Sequence, residues 1–172
     1  MSQNAERGGL AGHTTKSDGH DTAGVIAPPP VLYGGALIIG LVLHFVHPIH
    51  LSSSAGGVLR GLGIALVVIG LLLSAAVMRV LGAAGTPVPP YRPTARLVFD
   101  GPYRFSRNPD YIGQALVYVG ISLLANSWWP LFILPLAVFA VQRFVIEREE
   151  RYLEAKFGEE YREYGARVRR WL

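Results

Sequence analysis

The sequence predicts an all-α, polytopic membrane protein of about four transmembrane helices, with a helical extension after the last. Three observations carry this. Of 172 residues, 51% are hydrophobic and only 16% are charged, against roughly a quarter charged in soluble domains. The apolar residues come in long unbroken stretches and not as one helical stripe. Basic residues gather at the edges of those stretches, as topology signals do.

Residues 1–27 are rich in Gly, Ser, Thr, Asp and His and lack periodicity. They read as a disordered cytoplasmic leader and lack the basic start and apolar core of a signal peptide. Residues 28–172 read as a single membrane domain. Pro28-Pro29-Pro30 sets an extended entry to a first span over Val31–Val46. The polar loop His47–Gly57 leads to a second span, Val58–Leu81. Its glycines Gly61, Gly63 and Gly70 suit close helix contact in lipid. Between Gly82 and Asp110, five prolines (Pro87, Pro89, Pro90, Pro93 and Pro102) forbid a continuous helix. A third span runs Tyr111–Asn126 and a fourth Trp129–Ile146, joined by a turn short enough to make a hairpin. Trp128 and Trp129 fit an interfacial aromatic belt. The fourth helix continues to Phe157, where Gly158 ends it. A last helix over Glu159–Leu172 carries Tyr161, Tyr164, Val168 and Trp171 as a stripe for the membrane surface or for capping residues 82–110.

Four spans put both termini on one side. The Arg-rich segment 82–110 and the Arg-rich tail lie there too, and the positive-inside bias makes it the cytoplasm. Two polar clusters therefore share one membrane face. The composition also excludes several chemistries. With no cysteine there is no disulfide, thiolate catalysis or cysteine-ligated metal. No glycine-rich phosphate loop with its lysine appears. No histidine lies in residues 82–172, which removes a serine–histidine hydrolase there. The net charge of +4 and pI near 9.6 come from residues flanking spans, so no nucleic-acid partner is expected. His44, His47 and His50 are spaced by three, but Pro48 interrupts them. They read as interfacial residues, and no metal is expected.

The chemistry-bearing residues fall in two groups. Glu149 has Val145, Ile146, Tyr152 and Leu153 as its three- and four-residue neighbours, an apolar face where a carboxylate needs a donor or cation. Glu150 has Ile146, Leu153 and Glu154, while Glu147 has Arg143 and Arg151 for local pairing. In the other group, Pro102 and Pro109 fix the backbone around Arg104 and Arg107. Arginines so held can grip a carboxylate or phosphate at two points, or anchor to lipid phosphates. Asn108 can cap the third span or donate to a ligand.

Gly85-Thr86 with Pro87–Pro93, Gly101-Pro-Tyr-Arg-Phe-Ser-Arg-Asn-Pro-Asp-Tyr-Ile-Gly113, and Glu149-Glu150-Arg-Tyr-Leu153 with Phe157-Gly158, Tyr161, Tyr164 and Val168 resemble the isoprenylcysteine carboxyl methyltransferase and phospholipid methyltransferase superfamily. The resemblance covers residues 82–172. It implies a cytoplasm-facing pocket for S-adenosylmethionine and a lipophilic acceptor entering from the lipid. That acceptor could be an isoprenylcysteine carboxylate, a phospholipid amine, a thiol or an isoprenoid. By position, Tyr103, Arg104, Arg107, Asn108, Pro109, Tyr111 and Gly113 form one wall of the cofactor site, and Glu149 and Glu150 the other. The chain departs from the family's common Arg-His-Pro in having Arg107-Asn108-Pro109, and Asn cannot serve as a base near neutral pH. Direct in-line methyl transfer by positioning is therefore expected, with Arg107 the residue that touches both cofactor and acceptor. Asp110 stands where the family is usually apolar. Two other readings remain: a membrane reductase using NADPH, of the sterol-reductase type, and a non-catalytic lipid-binding membrane protein.

Overall fold

Proline decides where the first helix begins. The computed structural model describes residues 28–85, 94 and 96–172, and the readings made above for residues 1–27 and 86–93 lie outside them. Helix α1 spans Pro29–Val46. Pro29 and Pro30 are its first residues and not an extended entry, because the first turn has no use for the N–H groups that proline lacks. Helix α2 spans Gly56–Ala83. A 3₁₀ turn, Gly101–Arg104, precedes α3, Pro109–Leu124. Helix α4, Trp128–Val141, passes through a π turn, Gln142–Ile146, into α5, Glu147–Phe157. Gly158, at φ 57°, takes the left-handed backbone that lets the chain turn into α6, Glu159–Arg167.

Three stretches are long and apolar enough to cross a membrane: Pro29–Val46, Gly56–Ala83 and the continuous Trp128–Phe157. The last has 30 residues, where about 20 suffice. The apolar part is used up near Ile146, and the charged turns of α5 project beyond it. Helix α3 has 16 residues, short of the usual span, and lies along α2.

Glycine sets the α2–α3 crossing. Gly63 faces Gly120 and Gly70 faces Gly113, the same spacing read in opposite directions. A Cβ on Gly70 would lie 2.5 Å from the Gly113 carbonyl oxygen, and one on Gly120 would lie 2.7 Å from that of Gly63. No Cβ fits at these four positions, the close backbone approach that small residues make possible in lipid. Gly61, expected in the same role, faces open space. Helix α1 packs along α4, where Gly40 meets the backbone of Pro130. Tyr33, Tyr111, Tyr118, Ala137, Val141, Val145 and Ile146 form the buried core between α1, α3 and α4.

At one end the two connecting turns are tied together. Asn126, in the left-handed region at φ 49°, donates from Nδ2 to the Ser52 carbonyl and accepts from the Ser52 N–H at Oδ1. Trp129 Nε1 donates to the His47 carbonyl. His44 and His50 meet edge to face at this same end, ring centroids 5.1 Å apart. The start of α3, the end of α4 and all of α5 and α6 lie at the other end, so the helix order itself brings the two polar groups together.

Helix α6 stops at Arg167, well before the expected Leu172. Val168 is extended (φ −118°, ψ 128°). The reason is tertiary. The Arg169 carbonyl accepts from the Arg107 N–H at 2.9 Å. The Arg170 carbonyl accepts from Ser106 Oγ at 3.1 Å and from Asn108 Nδ2 at 2.9 Å. These bonds hold the last residues as a strap across the segment before α3.

Candidate functional site

The tail helix supplies two neighbouring carboxylates that face different partners. Glu149 accepts from the Tyr111 hydroxyl, 2.8 Å from both carboxylate oxygens. Among the described residues this is its only hydrogen-bond donor. Withdrawal from water raises the Glu149 carboxyl to about 7. The Tyr111 hydrogen bond opposes that rise, and the negative charges of Asp110 and Glu150 add to it. This acid therefore changes charge near neutral pH. Tyr103, whose hydroxyl is held up in pKa by burial first and by Asp110 and Glu149 next, belongs to the same acidic surroundings.

Glu150 is bound by cations instead. Arg170 reaches it through Nε, at 3.1 Å from both oxygens, and through Nη2 at 2.5 Å. Arg107 Nη1 lies 3.2 Å away. The two-point grip of Arg170 leaves Arg107 only part of its donor set engaged, and Arg107 Nε is buried with no acceptor among the described residues. The Arg107 guanidinium lies against Gly165, where a Cβ would come within 3.2 Å of Nη1. It also lies beside the Tyr161 hydroxyl. Tyr164 donates to the Tyr103 carbonyl at 2.7 Å and lies tilted against Phe99, 4.8 Å between centroids. The α6 stripe thus caps the segment before α3, one of its two expected placements.

The remaining sequence candidates divide. Pro109 is buried as the first residue of α3. Asn108 precedes it but makes no side-chain cap; its amide donates to the Arg170 carbonyl. Arg104 is exposed and makes none of the contacts that join the cluster. Gly113 is placed against Gly70 and Ser74 of α2, not among the polar groups. Its lack of a side chain serves the helix crossing. Glu147 pairs with Arg143 one turn back, as its spacing suggests. Asp110 gains an account: it sits in the first turn of α3, where negative charge is favoured, and accepts from Gln114 Nε2 at 2.8 Å. That leaves Gln114 Oε1 buried and without a donor among the described residues.

Arg170, Ser106 and Gln114 were not singled out by the sequence. One signal pointed toward Arg170. Glu150 has no cation at three- or four-residue spacing, so its counterion had to come from elsewhere in the chain. Beside the cluster, a cavity of about 430 Å³ is lined by Val80, Ala83, Ala84, Arg96, Leu97, Val98, Phe99 and Asp100.

The family model described as phospholipid methyltransferase matches residues 58–160, which takes in most of α2, all of α3, α4 and α5, and Arg107 with the glutamate pair. This chain belongs to the phospholipid methyltransferase family. Over 76 residues, 42% of the chain, it is 38% identical to protein-S-isoprenylcysteine O-methyltransferase B of Arabidopsis thaliana, and the match spans 37% of that protein. Over 62 residues, 36% of the chain, it is 42% identical to an uncharacterized protein of Haemophilus influenzae, of which the match spans 78%. The family's matched region contains every member of the Tyr111–Glu149 and Arg107–Glu150 contacts. Arg170, which completes the second, lies beyond it.

Proposed function

We propose that this protein is an integral-membrane S-adenosylmethionine-dependent methyltransferase with a lipophilic acceptor. The observation that carries this is the meeting, at one end of the helices, of a guanidinium with an idle donor (Arg107 Nε) and a carboxylate held by one neutral hydroxyl (Glu149). A zwitterionic ligand with an added cationic centre answers both. Arg107 suits its carboxylate, with a charge-assisted bond at Nε. Glu149, when ionised, suits its positive groups. Tyr161 and Tyr164 provide aromatic wall. When bound, S-adenosylmethionine supplies an electrophilic methyl group on a sulfonium.

The residues present favour catalysis by placement. Asn108 is tied to the Arg170 carbonyl and has no titratable group to offer. Arg107 is fixed by its backbone bond to Arg169 and by Glu150, so little of its freedom remains to be lost on binding. Tyr161 lies beside both acids and Glu149 is withdrawn from water, which strengthens each charge interaction there. The cavity beside Val80 and Phe99, mostly apolar, is where we place the acceptor's lipid portion. The arginine-rich end faces the cytoplasm under the positive-inside rule.

Membranes containing the protein, incubated with isotopically labelled methyl donor, test this reading. Label is expected in a lipid-soluble product, and to be lost with Arg107→Ala or Glu149→Ala. Label no greater than in membranes lacking the protein would overturn it.

A further inference from the structure

We propose that Arg170 is a positioning residue, and that the strap Val168–Leu172 is the third wall of the site formed by Arg107 and the glutamate pair. Three observations converge on it. The Arg170 guanidinium grips both oxygens of Glu150, which also faces Arg107. The carbonyls of Arg169 and Arg170 hold the Arg107 N–H, Ser106 Oγ and Asn108 Nδ2, so the backbone around Arg107 is hung from the strap. The strap is itself pinned. The Trp171 ring packs on the core, and its Nε1 donates to Gln142 Oε1 in the π turn at 3.1 Å.

The consequence is a division of labour. A carboxylate shared by two arginines has its charge engaged by the better-placed one. Arg170, with the planar two-point fork, is that one. Arg107 is left with Nε idle and its plane set by Gly165 and Tyr161. Without Arg170, Arg107 would turn to satisfy Glu150 alone and its free donor would be lost. Arg170 therefore acts through Glu150 and the 106–108 backbone and touches no ligand.

This rests on the donor-site reading, and the test separates the two. The purified full chain in detergent is compared with Arg170→Ala, Arg170→Lys, Glu150→Gln, the Arg170→Ala/Glu150→Gln double variant, and Arg162→Ala. Arg162, exposed and paired only with the exposed Glu159 and Glu154 among the described residues, serves as control. Binding of labelled S-adenosylmethionine is measured by equilibrium dialysis, and amide exchange is followed across residues 104–111. Arg170→Ala should weaken binding about tenfold or more. Arg170→Lys, keeping charge but not the fork, should fall between. The double variant should bind about as Glu150→Gln does, since both act through one link. Exchange at the Arg107 amide should quicken in Arg170→Ala and not in Arg162→Ala. Unchanged binding in Arg170→Ala, or losses that multiply in the double variant, would overturn the proposal. If the unaltered chain binds no donor, the donor reading fails and the exchange decides alone: an Arg107 amide no faster in Arg170→Ala, or in Arg170→Lys should the alanine variant not fold, refutes the positioning role.

Discussion

Replacing Tyr111 with Phe removes one hydroxyl and leaves the ring that fills the core. That hydroxyl is the only donor to Glu149 among the described residues and sits 2.8 Å from each of its oxygens. A hydrogen bond to a charged group contributes about 1.5–3 kcal/mol, and each pKa unit corresponds to about 1.4 kcal/mol. Without it the Glu149 carboxyl, at about 7 in the intact protein, should rise by a further ~1–2 units. Below its pKa the carboxyl is neutral and does not hold a cation, so donor affinity should fall about tenfold per pH unit on the acid side and level off above about 7. In Tyr111→Phe the same curve should move to higher pH. At pH 7 the variant should bind about 5- to 50-fold more weakly, the ratio of ionised fractions for that shift, and its affinity should still be climbing at pH 8.5. Titration of S-adenosylmethionine binding from pH 5.5 to 8.5 reads both curves. A flat profile in the unaltered protein, or a Tyr111→Phe curve that does not move or moves to lower pH, would refute the reasoning.

Other outcomes follow from the same geometry. Because Glu149 is raised from 4.5 in the fold, its neutral form favours folding; that contribution is full below about 4.5 and is lost as pH rises through about 7. The donor-free protein should melt at lower temperature at pH 8 than at pH 5, and Glu149→Gln should flatten the slope. Gly70→Ala, which forces a Cβ to 2.5 Å from the Gly113 carbonyl, should cost about 1–3 kcal/mol, whereas Gly61→Ala, facing open space, should be neutral or slightly stabilising in the same detergent melt. Glu150→Gln strips two arginines of their shared counterion and should cost about 1–3 kcal/mol, while Glu154→Gln, half exposed and 3.7 Å from Arg162, should cost less than about 1 kcal/mol. Thermal or denaturant unfolding distinguishes each pair.

The membrane helices were legible because hydropathy is local. Runs such as Ile64–Leu73 need no knowledge of partners, and the end of α5 at Gly158 was marked by the one residue type that accepts its backbone. The meeting of the two polar groups was legible too, because it follows from helix order. What was not legible depends on long-range contacts. Whether a glycine packs or lies open is decided by the partner helix: Gly63 and Gly70 meet glycines, Gly61 meets nothing, and Gly113 turned out to face α2 instead of the polar cluster. The end of α6 is set by Arg107, Ser106 and Asn108 taking up carbonyls some 60 residues away in sequence. Periodicity through Val168 and Trp171 could not register that competition. Asp110, unexplained by the residue pattern alone, needed only its neighbour four positions on, Gln114.

On the proposed function, Arg107 and Glu149 hold one ligand between them. Equilibrium binding of S-adenosylmethionine and of its product, which lacks the sulfonium charge, measures this most directly in the unaltered chain, Arg107→Ala and Glu149→Gln. Both compounds should bind saturably and more weakly in Arg107→Ala, with Glu149→Gln narrowing the preference for the charged donor at pH 8. Saturable binding that neither substitution alters would contradict it.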